Sequence, residues 1–404
     1  MIAAIFPQMP IGSLVEKVSK AVEVQPKTVY HQIGIRSHGK GLFDKPPVTG
    51  TQLGNKRVFW IEPNCFVVNI VFAWEQAVGK TLLSDMGKIA SHRFPMYRPK
   101  LGKVDIDFLT YLFKTEYGKE LLGLASPGGA GRNKTLGQSE FLKIRIHVPP
   151  IAEQRRIAEI LSTWDRAIAV QEQMVANARA QKKALMQTLL TGKKRLPGFK
   201  GAWKKVRLGQ LGEFRKGSGI LRDQVLEAGV PCIRYGEIYT THHDQIRKFA
   251  SFIDSESALE AERLVTGDLL FTCSGETAAE IGKCVAYLGS CEAYAGGDII
   301  LLNPTGHNSL FMSYVLNSAN VIEQKRKFGQ GNSVVHISAA NLAKLSFKTP
   351  ARSEQDAIAT TIDSVSDLIR RDEDDLAKMK LQKSALMQQL LTGKRRVKVE
   401  AIEQ

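Results

Sequence analysis

The sequence predicts an α+β protein built as a pseudo-twofold tandem repeat, with two mixed α/β domains separated by two long helices that form an antiparallel coiled coil. Three observations carry that prediction. The block QKKALMQTLLTGKKR (Gln181 to Arg195) returns as QKSALMQQLLTGKRR (Gln382 to Arg396), and Glu153-Gln154 with Ile157-Ala158 returns as Glu354-Gln355 with Ile358-Ala359, each 201 residues further on. The segments holding these blocks carry apolar positions in steps of four and three, the seam of a coiled coil. The chain has 404 residues, enough for two or three domains with cores of their own.

The elements follow in order. Residues 1–148 form a variable unit, 149–195 a constant spacer, 196–348 a second variable unit with a basic entry linker, 349–396 a second spacer and 397–404 a tail. Weaker echoes tie the variable units together: Ile11 to Leu14 with Leu208 to Leu211, Gly34-Ile35-Arg36 with Cys232-Ile233-Arg234, and Gly79-Lys80 with Gly282-Lys283. Val58 to Ile61, Cys65 to Phe72, Asp268 to Thr272, Ile299 to Leu302 and Lys344 to Phe347 have strand composition, whereas Phe108 to Leu124 and Leu310 to Lys327 read as helices. Each spacer starts behind proline (Pro149-Pro150; Pro350), has a glutamate in its opening turn, and stops at Thr191-Gly192 or Thr392-Gly393, where glycine accepts the left-handed conformation. A span of about 33 residues is about 50 Å of helix.

The first seam runs Ile157, Leu161, Trp164, Ile168, Gln171, Val175, Ala178, Lys182, Leu185 and Leu189, and the second repeats that register from Ile358 to Leu390. Its polar members discriminate between orientations. Parallel pairing sets Lys182 against Lys383, whereas antiparallel pairing in which facing residue numbers sum to about 554 sets Lys182 against Asp372 and Gln171 against Lys383. The antiparallel form is therefore expected. The bland alternative leaves these side chains at the seam edge or on a partner.

Composition narrows the function. Lys and Arg number 56 against 40 Asp and Glu, a formal charge of +16 that points to a polyanionic partner, chiefly nucleic acid. The longest apolar stretch, Cys65 to Trp74, holds Asn69 and is too short to cross a bilayer, and the opening Met1 to Pro7 is too short for a secretory signal. Five cysteines without metal-ligand spacing fit a reducing cytoplasm, and no metal site is expected. Histidines show no catalytic spacing, so no catalytic residue is expected and no cofactor on this chain.

Candidate DNA contacts are chosen by chemistry. Arg36 and Arg234 end matching apolar runs, Tyr235 follows the second, and arginine can donate two hydrogen bonds to guanine; an ordinary salt bridge or phosphate contact is the competing reading. Lys80 and Lys283, each after a glycine, are weaker candidates of the same kind. The stretch Gly128 to Thr135 resembles a phosphate loop, but Asn133 replaces its last glycine and the repeat equivalent has no lysine, which argues against nucleotide hydrolysis. Arg132 and Lys134 in that loop, and Asn332 and His336 in its counterpart, can instead meet phosphates or bases; a plain turn is the alternative. Lys193 to Gly212 has seven basic and no acidic residues and suits either a phosphate backbone or a solvated linker.

At this point the chain resembles the DNA-specificity subunits of type I restriction-modification enzymes. The resemblance rests on Pro149-Pro150-Ile151-Ala152-Glu153-Gln154-Arg155-Arg156-Ile157, on Leu185 to Gly192 with its copy Leu386 to Gly393, and on Trp203-Lys204-Lys205-Val206-Arg207-Leu208-Gly209. It implies a non-catalytic subunit with two target-recognition domains, each reading half of a split, asymmetric site in double-stranded DNA, and an antiparallel helical pair that serves as a ruler. It also implies two modification subunits that carry S-adenosylmethionine and methylate adenine, and restriction subunits that use ATP with Mg. The first half lacks the opening tryptophan of the second. The alternatives are the specificity subunit of another multisubunit restriction-methylation system, or a coiled-coil scaffold that binds proteins.

Overall fold

The computed structural model describes residues 6–128, 134–275, 277, 280–329 and 335–398. The chain divides into two compact units, one comprising Met1–Glu172 with Asp374–Gln404 and the other Gln173–Glu373. Each unit therefore holds one variable domain, the adjoining half of the first spacer helix and half of the second. The spacers are continuous helices, Ile151–Leu189 and Arg352–Leu391, longer than the sequence implied. Among the described residues, no helix is long and apolar enough to cross a membrane.

The two domains share one topology. In the first, a sheet runs in the order Val15–Val18, Met96–Pro99, Phe66–Val68, Val78–Lys80, all antiparallel. In the second, the sheet Phe214–Lys216, Ile299–Leu302, Leu269–Thr272, Cys284–Tyr287 repeats it and adds Gln245–Ile246. The other sheet of each domain has one parallel pairing, Val29–Arg36 beside Ile89–Ser91 and Val230–Ile233 beside Tyr294–Ala295. A short antiparallel ladder joins each domain's start to its end: Gln8–Pro10 with Arg145–His147, and Lys204–Arg207 with Ser346–Thr349. The predicted helix over Phe108 to Leu124 is two helices, Ile106–Phe113 and Glu116–Leu124, because Thr115 Oγ1 caps the second by accepting from Gly118 N. Leu310 to Lys327 likewise divides into Ser309–Leu316 and Ala319–Phe328. The run Cys65 to Phe72 is a strand only over Phe66–Val68, since Asn69 begins a turn by accepting from Val71 N.

Burial follows the seam along both helices, with every predicted seam position buried or half-buried. At the helix ends those positions enter domain cores. Ile157, Leu161 and Leu390 join Phe66, Phe108 and Phe141 in the first unit, and Leu189, Ile358 and Ile362 join Phe271, Phe311 and Tyr314 in the second. Each such aliphatic side chain contributes roughly 1.5–3 kcal/mol by leaving water.

The Glu-Gln motif explains why the helices and domains hold together. In the first unit the buried Glu153 carboxylate accepts from Arg396 Nε and Nη2, both at 2.8 Å, at the end of the second helix. In the second unit Arg195 donates to buried Glu354 at 2.5 and 2.6 Å. Each guanidinium also lies over an aromatic ring, Phe6 for Arg396 (4.7 Å) and Trp203 for Arg195 (5.7 Å). Phe6 thus fills the place of the tryptophan that the first half lacks. Gly192 and Gly393, at φ +68° and +73°, turn the chain under these rings. The neighbouring glutamines bind the domains: Gln154 Oε1 accepts from Asp105 N (2.8 Å), and Gln355 Oε1 from Asn308 N (3.0 Å). Asp105 and Asn308 are the N-caps of equivalent helices.

The helices run antiparallel in each unit, with ion pairs along the seam. In the first unit Lys383 pairs with Asp165 (2.5 Å), and Lys380 with Glu172 (2.6 Å). In the second, Arg179 pairs with Glu373 (2.5 Å), and Lys182 pairs with Asp244 of the domain. Aromatic rings of the domains lie beside both seam lysines. Lys383 lies 5.4 Å from the ring of Tyr111, whose hydroxyl donates to Asp165 (2.6 Å), and Lys182 lies 5.6 Å from the ring of Tyr314. These seam lysines therefore anchor domains as well as helices.

Replacing Gln154 with Ala leaves the Asp105 N–H and the Pro149 carbonyl without their partner, at a cost of about 2–3 kcal/mol. Hydrogen exchange should quicken in the first unit for Gln154→Ala and in the second for Gln355→Ala. Loss of protection spread equally over both units in either variant would contradict this assignment.

Candidate nucleic-acid interface

The arginines chosen from sequence are both held in defined orientations. Arg36 ends strand Val29–Arg36, is exposed, and has its guanidinium 4.7 Å from the Phe43 ring centre across the hairpin. Arg234 is the N-cap of the helix Tyr235–Thr240, and its Nε donates to Glu237 Oε1 (3.1 Å). Glu237 is buried and also accepts from Ser251 Oγ, so this carboxylate holds the arginine from below. Tyr235 beside it is exposed.

The lysines behave differently. Lys80 is ion-paired with Asp107 at 2.9 Å, the salt-bridge alternative. Lys283 turns inward and donates to the Tyr239 carbonyl (3.3 Å), and burial holds its ammonium below the ordinary lysine value. Its neighbour Gly282 accepts from Lys325 (2.7 Å), whose burial pushes its pKa down to about 8. This stretch serves the interior.

Around the glycine-rich loops, Lys134 sits 5.9 Å from the Trp74 ring centre, and His336 is exposed with its Nδ1 3.2 Å from Ser274 Oγ. Arg132 and Asn332 lie outside the described residues. The residues that follow the loops are held alike, since Leu136 N donates to Ile70 O (2.8 Å) and Ile337 N to Cys273 O (2.9 Å), each just beyond a central strand. In the basic linker, Arg195 is committed to Glu354, and Lys204 to Arg207 form a strand with exposed lysines.

Two copies of one sheet architecture, each locked to paired helices, can now be set beside known proteins. The sequence matches the profile of the type I restriction modification DNA specificity domain over residues 56–177 and 200–378. The chain belongs to this family. The two matched stretches correspond to the two repeats, which fits a DNA-specificity protein better than a general scaffold. Among relatives, the MjaVIII type I restriction enzyme specificity subunit of Methanocaldococcus jannaschii is 24% identical over 352 residues, covering 82% of this chain and 80% of that one. The MjaX specificity subunit of the same organism is 25% identical over 324 residues, 75% and 71% of the two chains. Solved structures share the fold. The HsdS subunit of Thermoanaerobacter tengcongensis is 17% identical with a TM-score of 0.51, covering 96% of this chain and 97% of that one. The S subunit from M. genitalium is 13% identical with a TM-score of 0.61 and the same coverage.

Sequence reasoning missed a further group of exposed polar side chains, Lys17, Arg57 and His92, which are apart in the chain and line one cleft where two sheets meet.

Lys325 supplies a test of the inward-facing lysines. The unfolded chain holds this proton up to about pH 10.5 and the folded chain releases it near pH 8, so this site's contribution to stability rises with pH between those values. The stability of the wild type relative to Lys325→Met, measured by urea unfolding, should climb across that window. A flat difference would show that the ammonium carries no burial penalty.

Proposed function

We propose that this chain is the DNA-specificity subunit of a type I restriction-modification enzyme, that its two recognition domains each read half of a split, asymmetric site, and that the paired helices fix the spacing. The carrying observation is the duplicated domain matched twice to the DNA specificity family, each copy bound to a spacer helix by the side chain of Gln154 or Gln355. A charge of +16 suits a chain that tracks phosphates. Arg36, Arg234 and Tyr235 are the base-reading candidates, with His336, Lys134 and the loop residues Arg132 and Asn332 beside them. Lys80 and Lys283 are no longer among them, because their ammonium groups are engaged within the first and second domains.

The chain itself performs no chemistry in this reading. Two modification subunits carry S-adenosylmethionine and methylate adenine where this chain directs them, and restriction subunits with ATP and Mg join through the complex in the cytoplasm. Two linked readers multiply discrimination, because each mismatched base pair costs about 1–3 kcal/mol in its own half-site.

The spacing role has a direct test. Seven residues inserted into the middle of both spacer helices, after Met174 in the first, lengthen each by about 10 Å, or about three base pairs. Mapping methylated adenines in cells that express the variant with its modification subunits should return both original half-sites with a longer gap. Altered half-sites with an unchanged gap would contradict the ruler.

A further inference from the structure

A cleft of about 300 Å³ opens in the first domain between the strands Val15–Val18, Val58–Trp60 and Met96–Pro99. Its rim carries Lys17, Arg57 and His92, its floor is Phe59, Phe94 and Met96, and no acidic side chain lines it. The backbone assembles it. Lys17 is opposite Tyr97 in the ladder, and His92 N donates to Arg57 O (3.1 Å), so two cations and an imidazole face one opening.

The charges of Lys17 and Arg57 are left available while others nearby are neutralised. Lys88 pairs with Asp44 and Asp85, and Arg98 with Glu62 and Glu16. Arg57 and His92 make no salt bridge among the described residues, and Lys17 donates to Gln138 Oε1 (2.7 Å), a neutral acceptor that leaves its charge intact. The edge continues toward the glycine-rich loop. Arg93 follows His92, its carbonyl accepts from Ile70 N (3.0 Å), and the Ile70 carbonyl accepts from Leu136 N (2.8 Å). The second domain does not repeat this arrangement. On its corresponding strand Phe214–Lys216, Arg215 is taken up by Glu262 and the buried Asp268.

We propose that the cleft formed by Lys17, Arg57 and His92 seats a backbone phosphodiester of duplex DNA and orients the first recognition domain on its half-site. The three donors converge on an anion, and the apolar floor takes the deoxyribose edge that accompanies a phosphodiester. This proposal rests on the DNA-reading assignment above. Because every sequence presents the same phosphates, the cleft contributes affinity without choosing bases.

The test uses the whole complex of this chain with its modification subunits. Anisotropy titrations across a salt series compare a duplex carrying the mapped site with an equally long duplex lacking it, and melting curves check folding. Arg57→Ala with His92→Ala should weaken both duplexes alike, by about tenfold, and lower the slope of log K against log salt by about one. Arg57→Lys should restore most of the loss, and Lys119→Ala, on the helix Glu116–Leu124, should leave the slope unchanged. Unchanged affinity and slope in the folded double variant would overturn the proposal, as would a loss confined to the specific duplex, which would make these residues base readers. Inorganic phosphate that binds the cleft and is not displaced by duplex would assign it to a free phosphate and also overturn it. A wild-type complex that bound neither duplex in a salt-dependent way would instead bring down the DNA-reading assignment itself.

Discussion

The structure depends on one reciprocal interaction, a buried glutamate at the start of each spacer helix clamped by an arginine just beyond the end of the other. Glu153 takes Arg396 in the first unit, and Glu354 takes Arg195 in the second. A buried carboxylate tolerates little displacement of its partner, because losing the pair leaves a charge in a poor solvent. The clamp therefore specifies arrangement more than it adds stability. The rings of Phe6 and Trp203 cover the guanidinium groups, and the glycines at Gly393 and Gly192 bring the chain beneath those rings. Gln154 and Gln355 then bind the first turn of a domain helix, so four consecutive interactions run from helix end to recognition domain without a flexible joint.

Around this common frame the two domains differ in how they use charge. The second spends Arg215 and Lys182 on internal carboxylates and fixes Arg234 with buried Glu237. The first keeps an uncompensated cationic edge and stacks Arg36 on Phe43. Equal scaffolds with unequal surfaces suit readers of two different half-sites, since the cores keep the sheet order while the exposed side chains are free to differ.

The repeat, the antiparallel helices and the seam were legible in the sequence because a 201-residue offset and a 3.5-residue period are both regular. The domain partners of Lys182 and Lys383 were not. Helical periodicity says that Lys182 and Lys383 face inward, yet Tyr111 and Tyr314 arrive from domains whose placement no local pattern encodes. The same limit applied to the candidate contacts. Arg36 and Arg234 could be chosen because they end recognisable apolar runs, whereas Lys17, Arg57 and His92 belong to three separate strands or their ends, in two different sheets, and meet only at a shared cleft. Helix breaks at Thr115 and Ser318 were hidden for a simpler reason: the apolar spacing continues across them while a new helix starts, capped through the side chain at Thr115 and without such a bond at Ser318.

The most direct measurement is the methylation pattern of a chimera in which residues 6–148 are replaced by the corresponding domain of a family member with a different mapped site. Two readers fastened independently to one spacer predict that one half-site changes to the donor's, while the other half-site and the gap between them persist. A new gap, or simultaneous change of both half-sites, would contradict the account.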